Sequence, residues 1–112
     1  MTGTGRIDYA GTDVLNLTLG KGNDTLIGGS GADMLDGGSG FDTADYSGSA
    51  DAIGAGLDGR TGSGGDAEGD RLFTIERLVG SAFGDTLAGG SGNDTLDGGA
   101  GDDTITGSIG VD

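Results

Sequence analysis

A nine-residue period runs through this chain of 112 residues. Four six-residue segments share the pattern Gly-Gly-x-Gly-x-Asp, and they begin at Gly28, Gly37, Gly89 and Gly98. The second residue after each of these segments is mostly apolar, namely Leu35, Ala44, Leu96 and Ile105. An internal repeat this short predicts a solenoid, in which each repeat buries its apolar residue only by stacking on its neighbours.

The repeated loops concentrate residues that can bind a hard cation. With two degenerate copies included, the aspartates at the sixth loop position are Asp24, Asp33, Asp42, Asp85, Asp94 and Asp103. The glycines of these loops are Gly20, Gly22, Gly28, Gly29, Gly31, Gly37, Gly38, Gly40, Gly89, Gly90, Gly92, Gly98, Gly99 and Gly101. Glycine at the first, second and fourth positions allows positive φ, so that carbonyl groups can turn toward a common point. Calcium takes six to eight oxygen ligands, carboxylates and carbonyls among them, and we predict a calcium site in these loops.

One loop has too few oxygen atoms for a complete calcium site, so two loops must share an ion. If two repeats form one coil, loops eighteen residues apart lie on the same edge of the solenoid. This spacing predicts the pairs Asp24/Asp42, Asp33/Asp51, Asp85/Asp103 and Asp94/Asp112.

The period breaks in the middle of the chain, because 43 residues separate Asp42 from Asp85. We therefore divide a single domain, residues 1–112, into an N-terminal strand or cap (1–19), a first repeat block (20–45), an insert (46–79) and a second repeat block (80–112). Alternation at 53–57 predicts one strand in the insert, and the apolar residues at 72–83 predict that it packs on the solenoid. A helical turn at 75–78 stays open, as does a first coil in place of the N-terminal cap. The break predicts two short rolls around the insert.

Composition narrows the class of protein. Nineteen acidic residues against five basic ones give a net charge of −14, which excludes nucleic acid and anionic lipid as natural partners. Neither cysteine nor histidine occurs, and no metalloprotease or EF-hand motif is present, so we predict no catalytic residues and no enzyme activity. The sequence shows no N-terminal signal peptide and no apolar stretch long enough to span a membrane.

The loops and their spacing resemble the RTX, or hemolysin-type, calcium-binding repeat of pattern G-G-x-G-x-D-x-U-x. The resemblance implies an all-β fold, a parallel β-roll that is a right-handed β-solenoid, here interrupted by an irregular insert. It also implies calcium ions between successive loops, with the aspartates and loop glycines named above as ligands, and secretion by a type I machinery. The loop Gly80–Asp85 departs from the pattern at Ser81 and Phe83.

The resulting hypothesis is a calcium-binding module of a secreted bacterial protein that folds on calcium after export. One alternative is an adhesive module that binds carbohydrate, ice or another protein, for which an outward row of threonines is the main support: Thr25, Thr43, Thr86, Thr95 and Thr104. Another is the non-catalytic C-terminal fragment of a secreted enzyme.

Overall fold

A computed structural model of the chain describes residues 20–107 and, further toward the N-terminus, the backbone of two strands at 6–8 and 16–18. Each strand in this described part has three residues: β1 (Arg6–Asp8), β2 (Asn16–Thr18), β3 (Thr25–Ile27), β4 (Met34–Asp36), β5 (Thr43–Asp45), β6 (Gly54–Gly56), β7 (Arg71–Phe73), β8 (Arg77–Val79), β9 (Thr86–Ala88), β10 (Thr95–Asp97) and β11 (Thr104–Thr106). One 3-10 helix, Gly65–Ala67, lies between β6 and β7. The loop-then-strand pattern of the repeats sets these bounds, because every Gly-rich loop ends at an aspartate and a strand follows at once.

The strands form parallel sheets, as predicted for a β-roll. A long sheet has the order β1-β3-β5-β8-β10, and two short sheets have the orders β2-β4-β7 and β6-β9-β11. Along the chain from β2 to β11, nearly every strand of the long sheet alternates with a strand of a short sheet, so the chain winds as a solenoid. The second face is divided into two sheets because β6 and β7, consecutive in the chain, pair with different neighbours.

The insert is part of the solenoid. Strand β8 comes from residues 46–79, and it pairs with β5 of the first block on one side and with β10 of the second block on the other. The long sheet is therefore continuous across the break in the period, and the prediction of two separate rolls was wrong. The predicted strand in the insert is β6. A helical turn stayed open at 75–78, and the last two residues of that stretch belong to strand β8.

The N-terminal strands pair in the same way as the repeats. Leu17 of β2 lies opposite Leu35 of β4, and Ile7 of β1 lies opposite Leu26 of β3. These two strands thus extend the long sheet and one short sheet in parallel register, as the first-coil alternative requires. The rest of 1–19 lies outside the described residues.

The core is a column of inward side chains, one from the middle of each strand from β3 to β9. Leu26, Leu35, Ala44, Leu78 and Leu87 have no exposed surface. A strand directs successive side chains to opposite faces, so a three-residue strand buries its middle residue and exposes its neighbours. This column places the loops, with their aspartates, in register at the edges of the roll.

Candidate calcium-binding loops

The same hydrogen bond joins paired loops of adjacent coils in both repeat blocks. The backbone N–H of Asp24 donates to Oδ1 of Asp42 over 2.9 Å, and the N–H of Asp85 donates to Oδ1 of Asp103 over 2.9 Å. Both pairs are eighteen residues apart, as the period predicts. A sixth-position carboxylate therefore lies directly over the loop of the preceding coil.

The backbones of paired loops are in contact. Ser39 donates its N–H to the carbonyl of Gly20 over 3.1 Å, and Phe41 donates to the side-chain Oδ1 of Asn23 over 2.9 Å. The backbone of Gly40, at φ 113°, lies so close to the Gly22 carbonyl that a Cβ atom there would overlap it. Carbonyl and carboxylate oxygens of the two loops are thus brought to one edge.

Asp33 has a different partner from the one predicted. Its N–H donates to Oδ1 of Asp70 over 2.7 Å, across 37 residues, and not to Asp51. Asp51 is exposed. The segment after β5 turns through Tyr46–Ser49, and strand β6 begins two residues later than the nine-residue period predicts. Ile53, directly before β6, therefore occupies the sixth position, and it donates its N–H to Asp85. The predicted Asp33/Asp51 pair was therefore wrong.

A glutamate from the insert takes another sixth position, which the nine-residue pattern missed. Asp42 donates its N–H to Oε1 of Glu76 over 2.8 Å, and strand β8 follows Glu76 directly. Burial, with the nearby charges of Asp42 and Asp94, raises the pKa of Glu76, although the hydrogen bond from Asp42 opposes the rise. The signal that finds both Glu76 and Asp70 is an acidic residue two positions before a buried leucine, Leu78 or Leu72, as in the repeats.

The predicted ligand aspartates are drawn out of water. Of the sixth-position residues, Asp24, Asp33, Asp42, Asp85 and Asp94 are buried and Asp103 is half-buried. The predicted partner of Asp94, Asp112, lies outside the described residues. Burial, opposed by the hydrogen bond from Asp24 and reinforced by the charge of Asp24, raises the pKa of Asp42. Ionised carboxylates that are buried near one another repel, because little water screens their charges, unless a cation or a proton neutralises them.

Two of these aspartates have buried oxygen atoms with no hydrogen-bond partner. They are both carboxylate oxygens of Asp24, which is 1% exposed, and Oδ2 of Asp42, which is fully buried. An ionised carboxylate without a partner in a buried position is strongly unfavourable, because water no longer solvates it. Hard oxygen atoms at a shared loop edge match the ligands that calcium prefers, so these residues fit a calcium ion.

The first glycine of the loop has a role other than the predicted one. Positive φ occurs at the second and fourth positions, for example at Gly38 (81°) and Gly40 (113°), but Gly37 at the first position is not among the residues with positive φ. A Cβ atom on Gly37 would lie 2.5 Å from Oδ2 of Asp42, its own loop's aspartate. The first position is glycine because the carboxylate folds back over it, and the predicted positive φ there was wrong.

Not every loop has this conformation. In Gly89–Asp94, Gly90 donates its N–H to Oδ2 of its own aspartate over 2.8 Å, and Gly90 is absent from the residues with positive φ. In the degenerate loop Gly80–Asp85, Ser81 makes the same bond over 2.7 Å. In Gly37–Asp42, by contrast, Gly38 donates its N–H to Thr74 and to Asp36, the residue just before the loop. Oδ2 of the sixth-position aspartate thus accepts an N–H of its own loop in Gly80–Asp85 and Gly89–Asp94, but has no hydrogen-bond partner in Gly37–Asp42.

The outward threonines do not form an unbroken row. Thr25, Thr43 and Thr95 are aligned on the long sheet, but Arg77 stands between Thr43 and Thr95. Arg77 lies 3.6 Å from the carboxylate of Asp97. A charged side chain therefore interrupts the flat polar surface that binding of ice or of a polysaccharide would use.

Side chains alone do not form a metal site here: in the part of the chain that the structure describes, no three His, Cys, Asp or Glu side chains come together to hold an ion. Within the same residues no helix has the length and apolar character needed to cross a membrane.

A family model decides what these loops are. The model of the RTX calcium-binding nonapeptide repeat, in four copies, matches residues 10–44 and 79–112. The chain belongs to the RTX repeat family. RTX repeats bind calcium ions, and calcium is the metal of this chain's loops. No curated protein matches the chain. The stretch between the two matched segments, 45–78, contains both Asp70 and Glu76, so the RTX match alone does not identify these two acidic residues.

Proposed function

We propose that this chain is a calcium-binding β-roll module of a secreted bacterial protein, and that the repeat blocks fold when they meet calcium after export. The observation that carries the proposal is the set of buried carboxylate oxygens at Asp24 and Asp42 that have no hydrogen-bond partner. Without a cation these charges destabilise the paired loops, and with calcium the same atoms become ligands. Folding and binding are then one equilibrium.

The residues that would hold an ion on this edge are Asp24 and Asp42, with backbone carbonyls of the loops 20–24 and 37–42. Asp33, Asp85, Asp94 and Asp103 are the proposed ligands of the other loops, with the loop glycines as carbonyl donors. Calcium neutralises the carboxylates when it binds. The protein's contribution is to hold two loops in register, through the hydrogen bond from Asp24 to Asp42 and the contact of Gly40 with Gly22.

Secretion follows from the same chemistry. A net charge of −14 on 112 residues opposes compaction in calcium-poor cytosol, and an extended chain suits passage through an export channel. RTX repeats are typical of secreted bacterial proteins, which supports an extracellular location and export by a type I machinery.

Asp42→Asn tests the site, with Asp51→Asn as the matched control. Asparagine keeps the acceptor for the N–H of Asp24 but removes the charge, so we expect calcium binding by calorimetry to weaken by about tenfold or more. Asp51 lies in phase with the repeats in sequence yet is exposed, and its variant is expected to bind as the unmodified chain does. Circular dichroism in excess chelator and in millimolar calcium follows folding in parallel. Equal effects of the two substitutions, or no binding by the unmodified chain, would refute the proposed function.

A further inference from the structure

Both carboxylate oxygens of Asp85, the aspartate of the degenerate loop, accept hydrogen bonds. Oδ1 of Asp85 accepts the N–H of Ile53 over 2.8 Å and the hydroxyl of Ser81 over 2.6 Å, and Oδ2 accepts the N–H of Ser81 over 2.7 Å. Asp85 and Ser81 are both buried. At the corresponding place in the first block, Oδ2 of Asp42 is buried and has no partner. Ser81 therefore supplies to Asp85 a hydrogen bond of the kind that Oδ2 of Asp42 lacks.

The insert contains a second carboxylate of this kind. Oδ1 of Asp70 accepts the N–H of Asp33 over 2.7 Å, and Oδ2 accepts the hydroxyl of Tyr46 over 2.8 Å. Asp70 is 1% exposed and Tyr46 is 3% exposed, so this hydrogen bond is shielded from solvent. Tyr46 occupies the first loop position, where the repeats have glycine. Its side chain is buried there, and its hydroxyl donates to the Asp70 carboxylate.

The same stretch of chain contains most of the buried apolar side chains. Buried residues within 46–88 are Tyr46, Ile53, Ala55, Ala67, Leu72, Ile75, Leu78, Leu87 and Ala88. After residue 88 the inward positions are poorly covered, since Leu96 is only partly buried and Ile105 is 48% exposed. Apolar burial is the main favourable contribution to folding that does not depend on a bound ion.

We propose that residues 46–88, the middle segment, fold without calcium, because Ser81 and Tyr46 give Asp85 and Asp70 hydrogen bonds of the kind that the buried oxygens of Asp24 and Asp42 lack. The repeat blocks on either side then assemble on this segment when calcium arrives. Strand β8 pairs with β5 of the first block and with β10 of the second, and strand β9 pairs with β11 of the second block. This inference rests on the proposed function only for the behaviour of the two outer blocks.

Hydrogen exchange followed by mass spectrometry on the full chain tests the inference. In excess chelator we expect amides of the middle segment to stay protected while those of 20–45 and 89–107 exchange as in an unfolded chain. In millimolar calcium all three regions are expected to be protected. Loss of protection throughout the chain in chelator would overturn the inference. A chain that calcium leaves unchanged would instead refute the proposed function, with the chelator data still deciding this inference.

Two substitutions connect the protection to the named groups. Ser81→Ala removes the hydroxyl donor to Asp85, and Tyr46→Phe removes the donor to Asp70 while keeping the ring. Each loses a hydrogen bond to a buried carboxyl group, so we expect protection of the middle segment in chelator to fall roughly tenfold. Ser91→Ala, at an exposed loop serine, is the control and is expected to change nothing. Unchanged protection in both substituted chains would contradict the proposal, even if the segment is folded in chelator.

Discussion

The first glycine of an RTX loop is required by the aspartate five residues later. In four loops a Cβ atom at this position would overlap the carboxylate of the same loop; the glycines are Gly28, Gly37, Gly80 and Gly98. The carboxylate can then turn inward, over its own loop and away from water. In these four loops the short aspartate side chain folds back over a backbone that has no Cβ atom at this position.

Gly37→Ala is expected to weaken both the fold and calcium binding. Its Cβ would lie 2.5 Å from Oδ2 of Asp42, and relieving such an overlap costs about 1 to 3 kcal/mol. Thermal unfolding in calcium would register this as a fall of about 4 to 8 °C for each kcal/mol.

Gly48→Ala is the matched control for that substitution. Gly48 is exposed, has no positive φ, and a Cβ there would meet no atom within 4 Å. We expect an unchanged or slightly higher melting temperature. A fall as large as that of Gly37→Ala would show that the loss comes from backbone freedom and not from the carboxylate.

The pairing of individual loop residues could be predicted from the sequence where the period holds. The pairs Asp24/Asp42 and Asp85/Asp103 follow from eighteen-residue spacing alone. Asp70 and Glu76 could not be found by that count, because a tight turn between β7 and β8 and an extended loop before β7 place them out of phase. Which carboxylate oxygens are occupied depends on the neighbours in space, such as Tyr46 and Thr74, and no local pattern in the sequence shows this.

Each strand has only three residues, so its stability depends on the strands beside it. Strand β8 pairs on both sides, with β5 and β10, and its middle residue Leu78 has no exposed surface. Strand β10 lies at the end of the long sheet, and its middle residue Leu96 is only partly buried. The same residue type in the same register therefore has two environments.

Leu78→Ala and Leu96→Ala measure that difference. Truncation of a fully buried leucine costs about 2 to 5 kcal/mol, and we expect Leu78→Ala to fall in this range. Leu96→Ala is expected to cost less, because solvent already reaches the side chain. Denaturant unfolding in saturating calcium gives both values, and a larger loss for Leu96→Ala would contradict the assignment of β8 to the centre of the sheet.

The fold as a whole depends on a balance between charge and a small core. Seventeen of the 112 residues are aspartate and only 32% are apolar, so burial alone is weak compensation for the entropy of ordering 29 glycines. In the proposed function, calcium binding supplies the missing free energy in the repeat blocks. The fold class and the bound metal, calcium, were both predictable from the sequence, because one motif determines the strands and the loops together.

Removal of calcium is expected to expand the chain without fully unfolding it. The folded chain has a radius of gyration of 12.4 Å, and a fully unfolded chain of this length would have one of about 34 Å. Small-angle X-ray scattering in chelator should give a value between the two, since the middle segment stays compact. A value unchanged from the calcium form would argue against coupled folding, and one near the unfolded limit would argue against a calcium-free middle segment.

The continuity of the sheet could not be predicted from the same count. The insert breaks the nine-residue phase, yet its strand β8 lies between the two blocks in parallel register. The position in space at which a loop ends decides which strand the next strand pairs with. The number of residues in the loop does not decide it. The burial of Tyr46 and Ile53 fixes the path of the chain between β5 and β6. That burial depends on the side chains packed around them, which the repeat pattern does not show.

A single sheet that passes through every coil also determines how the molecule bears tension. A pull on the two ends acts along the stack, where adjacent coils are held by a few backbone hydrogen bonds and, in the proposed function, by calcium ions between paired loops. Each eighteen-residue coil that detaches releases roughly 60 Å of extended chain, at about 3.3 to 3.6 Å per residue. The end coils would separate first and the central coils last, so the roll would lengthen stepwise under load, and calcium would set the force of the outer steps.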